Sequence, residues 1–162
     1  MPRALLVLLF LPFLAGCGSK EPPAPDAADL NPALAPARAD YRAHCSACHG
    51  REGRGAKHLY PPLRGGTWAV HHPEAAIRVV LHGLKGELEL DGERYMNTMP
   101  LLGHRLSDAQ IAAILTYVRG SFGNAAGPID EDEVARIRAE VGKRDTEWTV
   151  RELQPWLEPA TP

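Results

Sequence analysis

The sequence predicts an all-α fold of three to five helices, with a small hairpin between two of them. Residues 73–84 and residues 107–122 carry apolar side chains at helical spacing. Between these stretches, residues 86–98 alternate around the pair Asp91 and Gly92, which is typical of a tight antiparallel hairpin. The hairpin is short, so helices should form the core.

Two helices and one long loop are predicted in the first half of the domain. Residues 37–45 form the first helix, since Pro36 is suited to the first turn of a helix. Residues 50–67 contain five Gly and two Pro, which predicts a loop. The second helix opens at Pro73, and its predicted apolar face consists of Ala76, Ile77, Val80, Leu81 and Leu84.

Two further helices are predicted in the second half. Ser107 starts the third helix, because "SDAQ" is a capping box in which Gln110 lies three residues after Ser107. A fourth, more charged helix spans residues 131–141 and ends at Gly142. The last 20 residues are predicted to be irregular, with one turn at "TVREL". The predicted buried stripe of the third helix is Ile111, Ile114, Leu115, Val118 and Phe122.

The N-terminus has the pattern of an export signal. A positively charged start precedes an apolar run at residues 4–13, which is too short for a comfortable transmembrane helix. The run ends in "LAGC", which resembles the bacterial lipoprotein signal, so we expect Cys17 to be acylated and to become the mature N-terminus. An ordinary secretory signal or an uncleaved anchor helix are the alternatives. Gly18, rather than Asp, at the next position is compatible with sorting to the outer membrane.

Composition divides the chain into four predicted parts. Residues 1–16 are the lipoprotein signal peptide, and residues 17–36 are a tether rich in Pro and Ala that its prolines keep extended. Residues 37–127 form the folded domain, and residues 128–162 form a charged helical extension. The charge is nearly balanced, with 18 basic and 20 acidic residues, which gives no reason to expect nucleic acid as a partner.

The stretch "HCSACHG" at residues 44–50 indicates the chemistry. A zinc site would need a second pair of ligands, and a thioredoxin-like dithiol would need a surrounding βαβ pattern; the sequence offers neither. Cys45 and Cys48 are spaced so that each can add to one vinyl group of a haem, and His49 then lies under the iron as its proximal ligand. The motif therefore predicts one covalent haem c, and the export signal agrees because this attachment happens outside the cytoplasm.

The second axial ligand is predicted among the remaining Met and His residues. Met99 is favoured, because Pro100 restricts it to extended backbone in a loop before the third helix. Met96 is the alternative, although it also fits an ordinary core position. A histidine or an open sixth position is left as a further alternative. Five other histidines are predicted to be exposed, namely His58, His71, His72, His82 and His104.

Five stretches in order resemble a class I cytochrome c domain: "YRAHCSACHG", "YPPLRGGTW", "PEAAIRVVLHGL", "YMNTMP" and "LSDAQIAAILTYVRGSFGN". The resemblance covers about residues 37–124. It is strongest to small cytochromes that accompany quinoprotein dehydrogenases or respiratory oxidases. It implies the cytochrome c fold around one covalent haem, with Cys45 and Cys48 as thioether cysteines and His49 and Met99 as axial ligands.

The resemblance also implies roles for residues around the haem. Pro62 matches the proline whose carbonyl holds the ring N–H of the proximal histidine, with Pro61 as the alternative. Tyr41 and Tyr117 match the aromatic positions where the first and last core helices cross. Trp68 matches an aromatic residue of the haem pocket, and an ordinary core role for it is an equally good alternative.

These features together predict an electron carrier rather than an enzyme. A haem with His and Met on both axial positions has no room for a substrate, and this ligand pair raises the reduction potential. We expect the protein to lie on the periplasmic side of a bacterial membrane and to pass electrons from a dehydrogenase to a respiratory acceptor such as a terminal oxidase. The alternative is a haem-based catalytic or ligand-sensing protein with a labile sixth site. Basic residues, among them Arg51 and Arg54, indicate either a steering surface for a partner or a merely solvated one.

Overall fold

Helices form roughly half of the structure, a computed structural model that describes residues 31–65 and 67–157. The predicted signal peptide, Cys17 and the start of the tether lie outside the described residues. Four helices are long: α1 (Ala35–His44), α4 (Pro73–His82), α5 (Asp108–Gly120) and α6 (Glu131–Val141). Three helices are single turns: α2 (Ser46–His49), α3 (Trp68–His71) and α7 (Val150–Leu153). Two 3₁₀ turns, Pro32–Leu34 and Gln154–Trp156, complete the helical elements of the described residues.

Four short strands form two small ladders within the described residues. They are β1 (Leu84–Lys85), β2 (Leu88–Leu90), β3 (Glu93–Tyr95) and β4 (Trp148–Thr149). β2 and β3 form the predicted antiparallel hairpin, with Leu88 opposite Tyr95. β1 and β4 pair in parallel, with Leu84 opposite Trp148. The second ladder joins parts of the chain that are far apart in sequence.

The first and last helices of the predicted domain cross at aromatic side chains. Tyr41 on α1 is fully buried, and its ring centroid lies 5.5 Å from that of Tyr117 on α5 and 5.3 Å from that of Phe122. Burial raises the pKa of Tyr41, so its hydroxyl stays protonated and donates to the carbonyl of Gly50 at 2.6 Å. This bond ties the helix crossing to the residue that follows His49.

The start of α5 and its buried stripe are confirmed, but α5 ends at Gly120, before Phe122, which has a φ of 62°. The amide of Gln110 donates to Ser107 Oγ at 3.2 Å, and the amide of Ser107 donates to Gln110 Oε1 at 3.2 Å, which completes the capping box. Burying each large apolar side chain contributes about 1.5–3 kcal/mol, so this face is a main source of stability. All five residues of the predicted stripe are buried: Ile111, Ile114, Leu115, Val118 and Phe122.

The fourth helix has the predicted bounds and belongs to the same core. Val134 and Ile137 on α6 are fully buried in the apolar cluster that contains the α5 stripe. Arg138 on α6 donates to Asp108 Oδ1 at 2.7 Å and to the carbonyl of Gly103 at 2.6 Å, which holds α6 against the start of α5. The first part of the predicted C-terminal extension therefore packs as a layer of the domain.

The turn predicted at "TVREL" is confirmed as α7, but the rest of residues 143–157 is more regular than predicted. Residues 148–156 form β4, α7 and a 3₁₀ turn, and Leu153 is fully buried. The amide of Trp148 donates to the carbonyl of Gly83 at 3.1 Å. The pairing partner of β4 lies much earlier in the chain, so no local periodicity could reveal it. α4 also ends earlier than predicted, because Gly83 has a φ of 77° and turns Leu84 into β1.

No helix within residues 31–65 and 67–157 combines the length and the apolar composition needed to cross a bilayer.

Candidate haem-binding site

An apolar cavity of about 160 Å³ brings the predicted donor residues together. Its lining includes Cys45, Cys48 and His49 from the first motif and Met99 from the loop before α5. Most of the remaining lining is apolar, with Val79 and Val80 from α4, Leu88, Leu90 and Tyr95 from the hairpin, and Ile114, Leu115 and Val118 from α5. Two thiols, an imidazole and a thioether around one apolar cavity fit a covalently attached haem.

One helical turn presents the histidine to the cavity. The amide of His49 donates to the carbonyl of Cys45 at 3.0 Å, and Gly50, with a φ of 77°, ends the turn. His49 is 8 % exposed, and its Nδ1 donates to the carbonyl of Pro61 at 2.9 Å. Burial lowers the pKa of His49, and the bond to Pro61 opposes this shift. A neutral ring with its proton on Nδ1 leaves Nε2 as the nitrogen available to a metal.

The carbonyl that holds His49 belongs to Pro61 and not to Pro62, the favoured candidate of the sequence. Which proline carbonyl reaches His49 depends on how the loop of residues 50–60 is folded. The sequence motif does not specify that fold. Pro62 instead lines the cavity beside Pro61. The sequence had kept Pro61 as the alternative for this role.

Gly55 gives the Pro61 carbonyl its position, and the sequence did not single it out. Its amide donates to the carbonyl of His49 at 2.8 Å, so the loop folds back over the helical turn. Gly55 has a φ of 63°, and a Cβ at this position would lie 2.7 Å from the Pro61 oxygen and against the carbonyl of Tyr60. The high Gly content of this loop was the available signal. The sequence alone could not tell at which glycine the Pro61 carbonyl comes too close for a side chain.

Met99 and Met96 differ in their relation to the cavity. Met99 is partly buried and lines the cavity. Met96 is 60 % exposed and does not contribute to the lining, so the ordinary core position predicted for it is wrong. The amide of Met99 donates to the carbonyl of Leu84 at 2.8 Å, and the amide of Leu84 donates to the carbonyl of Met99 at 3.0 Å. The backbone of Met99 is therefore held at both polar groups.

Trp68 lines the cavity from α3, a single turn that a buried arginine anchors. Arg119 on α5 donates to the carbonyls of Ala69 at 2.8 Å and of Val70 at 2.7 Å. It also donates to the carbonyl of Gly127 at 2.6 Å. Arg119 is a supporting residue that the sequence did not reveal, since its position on the helix gives no sign of these distant carbonyls.

Cys45 and Cys48 are not joined in a disulfide, so both sulfurs are available to a haem. Burial first, and then the nearby Cys48 and Asp40, raise the pKa of Cys45 to about 12. Haem attachment adds the S–H group of each cysteine across a vinyl double bond, and both cysteines line the cavity where this reaction would attach the ring.

The histidines outside the motif do not all behave as predicted. His58, His71 and His104 are exposed, and His72 is half-buried. His82 is buried, which corrects the prediction that it is exposed. Burial lowers the pKa of His82, a hydrogen bond with the backbone of Arg144 opposes this shift, and the charges of Arg144 and Arg138 lower the pKa again. The cause is tertiary, because the C-terminal part of the chain packs over the end of α4.

The family assignment rests on a match over more than half of the chain. The model of the family described as "Cytochrome C oxidase, cbb3-type, subunit III" matches residues 32–118. The chain belongs to this family. As a c-type cytochrome it carries one covalently bound haem c, and it transfers electrons rather than catalysing a reaction. The haem supplies one-electron chemistry at its iron, and the predictions of the fold, the cofactor and the non-catalytic role are confirmed.

Individual relatives share this domain over different fractions of their length. The cytochrome is 33 % identical over 118 residues to cytochrome c-552 of Thermus thermophilus. This match covers 65 % of the present chain and 79 % of that protein. It is 34 % identical over 106 residues to the fructose dehydrogenase cytochrome subunit of Gluconobacter japonicus, and 32 % identical over 99 residues to the cbb3-type cytochrome c oxidase subunit FixP of Azorhizobium caulinodans. These matches cover 61 % and 60 % of this chain, but only 21 % and 32 % of those two subunits.

Proposed function

We propose that this cytochrome is a membrane-tethered periplasmic one-electron carrier whose haem iron is bound by His49 and Met99. The observation that carries the proposal is the shared cavity, because both side chains line it together with Cys45 and Cys48. The His49 ring is held by Pro61, and the Met99 backbone is held by Leu84. Two positioned ligands leave no open coordination position for a substrate.

The apolar lining supports an electron-transfer role in a second way. An apolar surrounding excludes water and disfavours the more highly charged oxidised iron, which raises the reduction potential. A thioether ligand acts in the same direction. The protein residues therefore contribute by binding, orienting and shielding, and no side chain in the cavity is required as an acid, a base or a nucleophile.

The names of the relatives support a choice of partner class. Several are cytochrome subunits of dehydrogenases, such as the fructose dehydrogenase subunit and the quinone alcohol dehydrogenase subunit of Gluconacetobacter polyoxogenes. Another is a subunit of a terminal oxidase. We place this cytochrome between a dehydrogenase that donates electrons and a respiratory oxidase that accepts them.

The basic surface expected from the sequence is partly neutralised. Arg54 Nε lies 2.7 Å from Glu52 Oε2, and Lys57 Nζ lies 2.9 Å from Glu93 Oε1. Both pairs are exposed, so salt screens them and their attraction is weak. Arg51 is exposed and keeps its place in the proposed steering surface.

The oxidised absorption spectrum tests the axial ligands. The wild-type protein, expressed with a working haem-attachment system, should be low-spin and should show the weak far-red band of sulfur bound to ferric iron. Met99→Ala should abolish the band, because it removes the thioether from the cavity, and the matched control Met96→Ala should keep it. A far-red band that survives in Met99→Ala would transfer the ligand role to Met96. A high-spin ferric wild-type protein whose chemically reduced form binds carbon monoxide without delay would favour the sensing or catalytic alternative.

A further inference from the structure

We propose that residues 144–153, here called the C-terminal hook, are a positioning element for Met99. The hook packs against β1, and Leu84 in β1 is hydrogen-bonded to the backbone of Met99. The hook thereby determines how firmly the Met99 sulfur stays on the iron. The inference rests on the proposed ligation by Met99. It assigns a function to a part of the chain that lies beyond the segment matched by the family model, residues 32–118.

The hook and Met99 bind the two sides of the same short strand. Leu84 exchanges two hydrogen bonds with Met99, of 2.8 and 3.0 Å, on one side of β1. On the other side, β4 pairs in parallel with β1, and the amide of Trp148 donates to the carbonyl of Gly83 at 3.1 Å. β1 is therefore the middle of a three-part ladder, and without the hook it would be an edge held only by the Met99 loop.

Gly83 is the point where the two sides come closest together. It has a φ of 77°, and a Cβ built there would meet the carbonyl oxygen of Met99. The same Cβ would lie 3.0 Å from Glu147 Cγ in the hook and 3.0 Å from the amide nitrogen of Leu101. No space for a methyl group is left between the hook and the Met99 segment, so a displacement of one side is transmitted to the other.

The hook is rigid enough to act as a brace. The guanidinium of Arg144 lies 3.8 Å from the centre of the Trp148 ring and donates to Glu152 Oε1 at 2.9 Å. The ring centroid of Trp148 lies 5.9 Å from that of Trp156, in an edge-to-face arrangement. Leu153 is fully buried beneath them. These contacts keep the hook in one arrangement, so that β1 packs against a firm surface.

Positioning matters because the bond from a thioether to ferric iron is weak and can be replaced. When imidazole binds, the Met99 sulfur leaves the iron and the imidazole nitrogen takes its place, with no change of oxidation state. A firmly positioned Met99 backbone keeps the sulfur near the iron and opposes this exchange. A loosened β1 lets the Met99 segment move away and makes the exchange easier.

The proposal is tested by titrating the ferric protein with imidazole and monitoring the loss of the far-red band. One variant changes the residue before β1, and another changes the hook. Gly83→Ala should increase the apparent affinity for imidazole about tenfold, which corresponds to about 1.4 kcal/mol. Arg144→Gln, which removes the stacking and the hydrogen bonds of the hook without adding bulk, should act in the same direction. Gly92→Ala is the control for backbone strain, because Gly92 has a φ of 76° and no atom within 4 Å of an added Cβ. Arg151→Gln is the control for loss of charge, since Arg151 is an exposed residue of the same hook.

The possible outcomes separate this proposal from the ligand assignment. If Met99→Ala leaves the wild-type spectrum unchanged, the proposed ligation fails and the present inference fails with it. If Met99→Ala removes the far-red band but Gly83→Ala and Arg144→Gln bind imidazole as weakly as their controls do, the hook does not position Met99 and only the inference fails. Lower melting temperatures without tighter imidazole binding would give the hook a purely structural role and would also overturn it.

Discussion

The orientation of His49 depends on one hydrogen bond, from its ring to the carbonyl of Pro61. The bond of 2.9 Å between them determines which ring nitrogen carries the proton and how the ring is turned. Gly55 is the residue that makes room for this carbonyl, because any side chain there would begin 2.7 Å from the Pro61 oxygen. Gly55, which does not line the cavity, therefore contributes to the orientation of the proposed ligand His49.

Gly55→Ala should weaken the site more than the equivalent change at a glycine with free space around it. Gly65 is the matched control, since it has a φ of 77° and no atom within 4 Å of an added Cβ. Both variants bear the cost of a side chain at positive φ, but only Gly55→Ala disturbs the bond from His49. We expect Gly55→Ala to lower the free energy of unfolding by about 1–3 kcal/mol more than Gly65→Ala does. Urea unfolding of both proteins measures this difference, and equal values for the two would refute the assigned role.

At the scale of elements, the one-turn helix α7 depends on a single carboxylate. Glu152 accepts hydrogen bonds from the amide of Thr149 at 2.8 Å, from Thr149 Oγ1 at 2.8 Å and from Arg144 at 2.9 Å. The Arg144 bond first, and then the Thr149 bonds, lower the pKa of Glu152 from 4.5 to about 2. The carboxylate closes the capping box of α7 and also joins the helix to the start of the hook.

Glu152→Gln should reveal an acid-dependent part of the stability. Since the folded protein holds the pKa of Glu152 below its unfolded value, the carboxylate stabilises the fold fully above about pH 4.5 and loses this effect as the pH falls towards about 2. Glu152 is 38 % exposed, so the expected contribution is at most about 1 kcal/mol. Urea unfolding of wild type and variant between pH 2 and pH 6 gives the difference at each pH. A difference that does not depend on pH, or one that Glu89→Gln on the exposed side of β2 reproduces, would contradict this account.

At the scale of the whole molecule, α6 and the hook make the described chain a larger unit than the segment around the haem alone. Val134 and Ile137 belong to the same buried cluster as the α5 stripe, and the hook reaches back to β1. The proposed lipid at Cys17 and the predicted tether would hold this unit near a membrane surface, although residues 32–36 of that tether belong to a 3₁₀ turn and to the start of α1.

Cys17→Ser should release the protein from the membrane fraction without changing its haem. The change removes the thiol that would carry the acyl chains, while Cys45 and Cys48 remain available for the haem. Fractionation of cells, with haem staining of each fraction, measures the distribution, and Ser19→Ala serves as the control that should stay with the membrane. Retention of Cys17→Ser in the membrane would favour the uncleaved anchor helix.

Much of the fold could be predicted because its signals are local. The capping box at Ser107, the bounds of α6 and the hairpin around Asp91 and Gly92 depend on residues within a few positions of one another. The predictions that failed concern distant neighbours. His82 is buried by a segment that lies far along the chain, and the hook forms only because β1 offers it a partner.

The sequence by itself determined the cofactor chemistry, since two thiols and an imidazole must be close together along the chain to attach and bind one haem. It also singled out Met99 over Met96, through the backbone restriction that Pro100 imposes. Only the tertiary structure decided which carbonyl holds His49, which glycine makes room for it and what braces the backbone of Met99. These contacts join segments that meet only after folding, and their geometry depends on packing that no local pattern encodes.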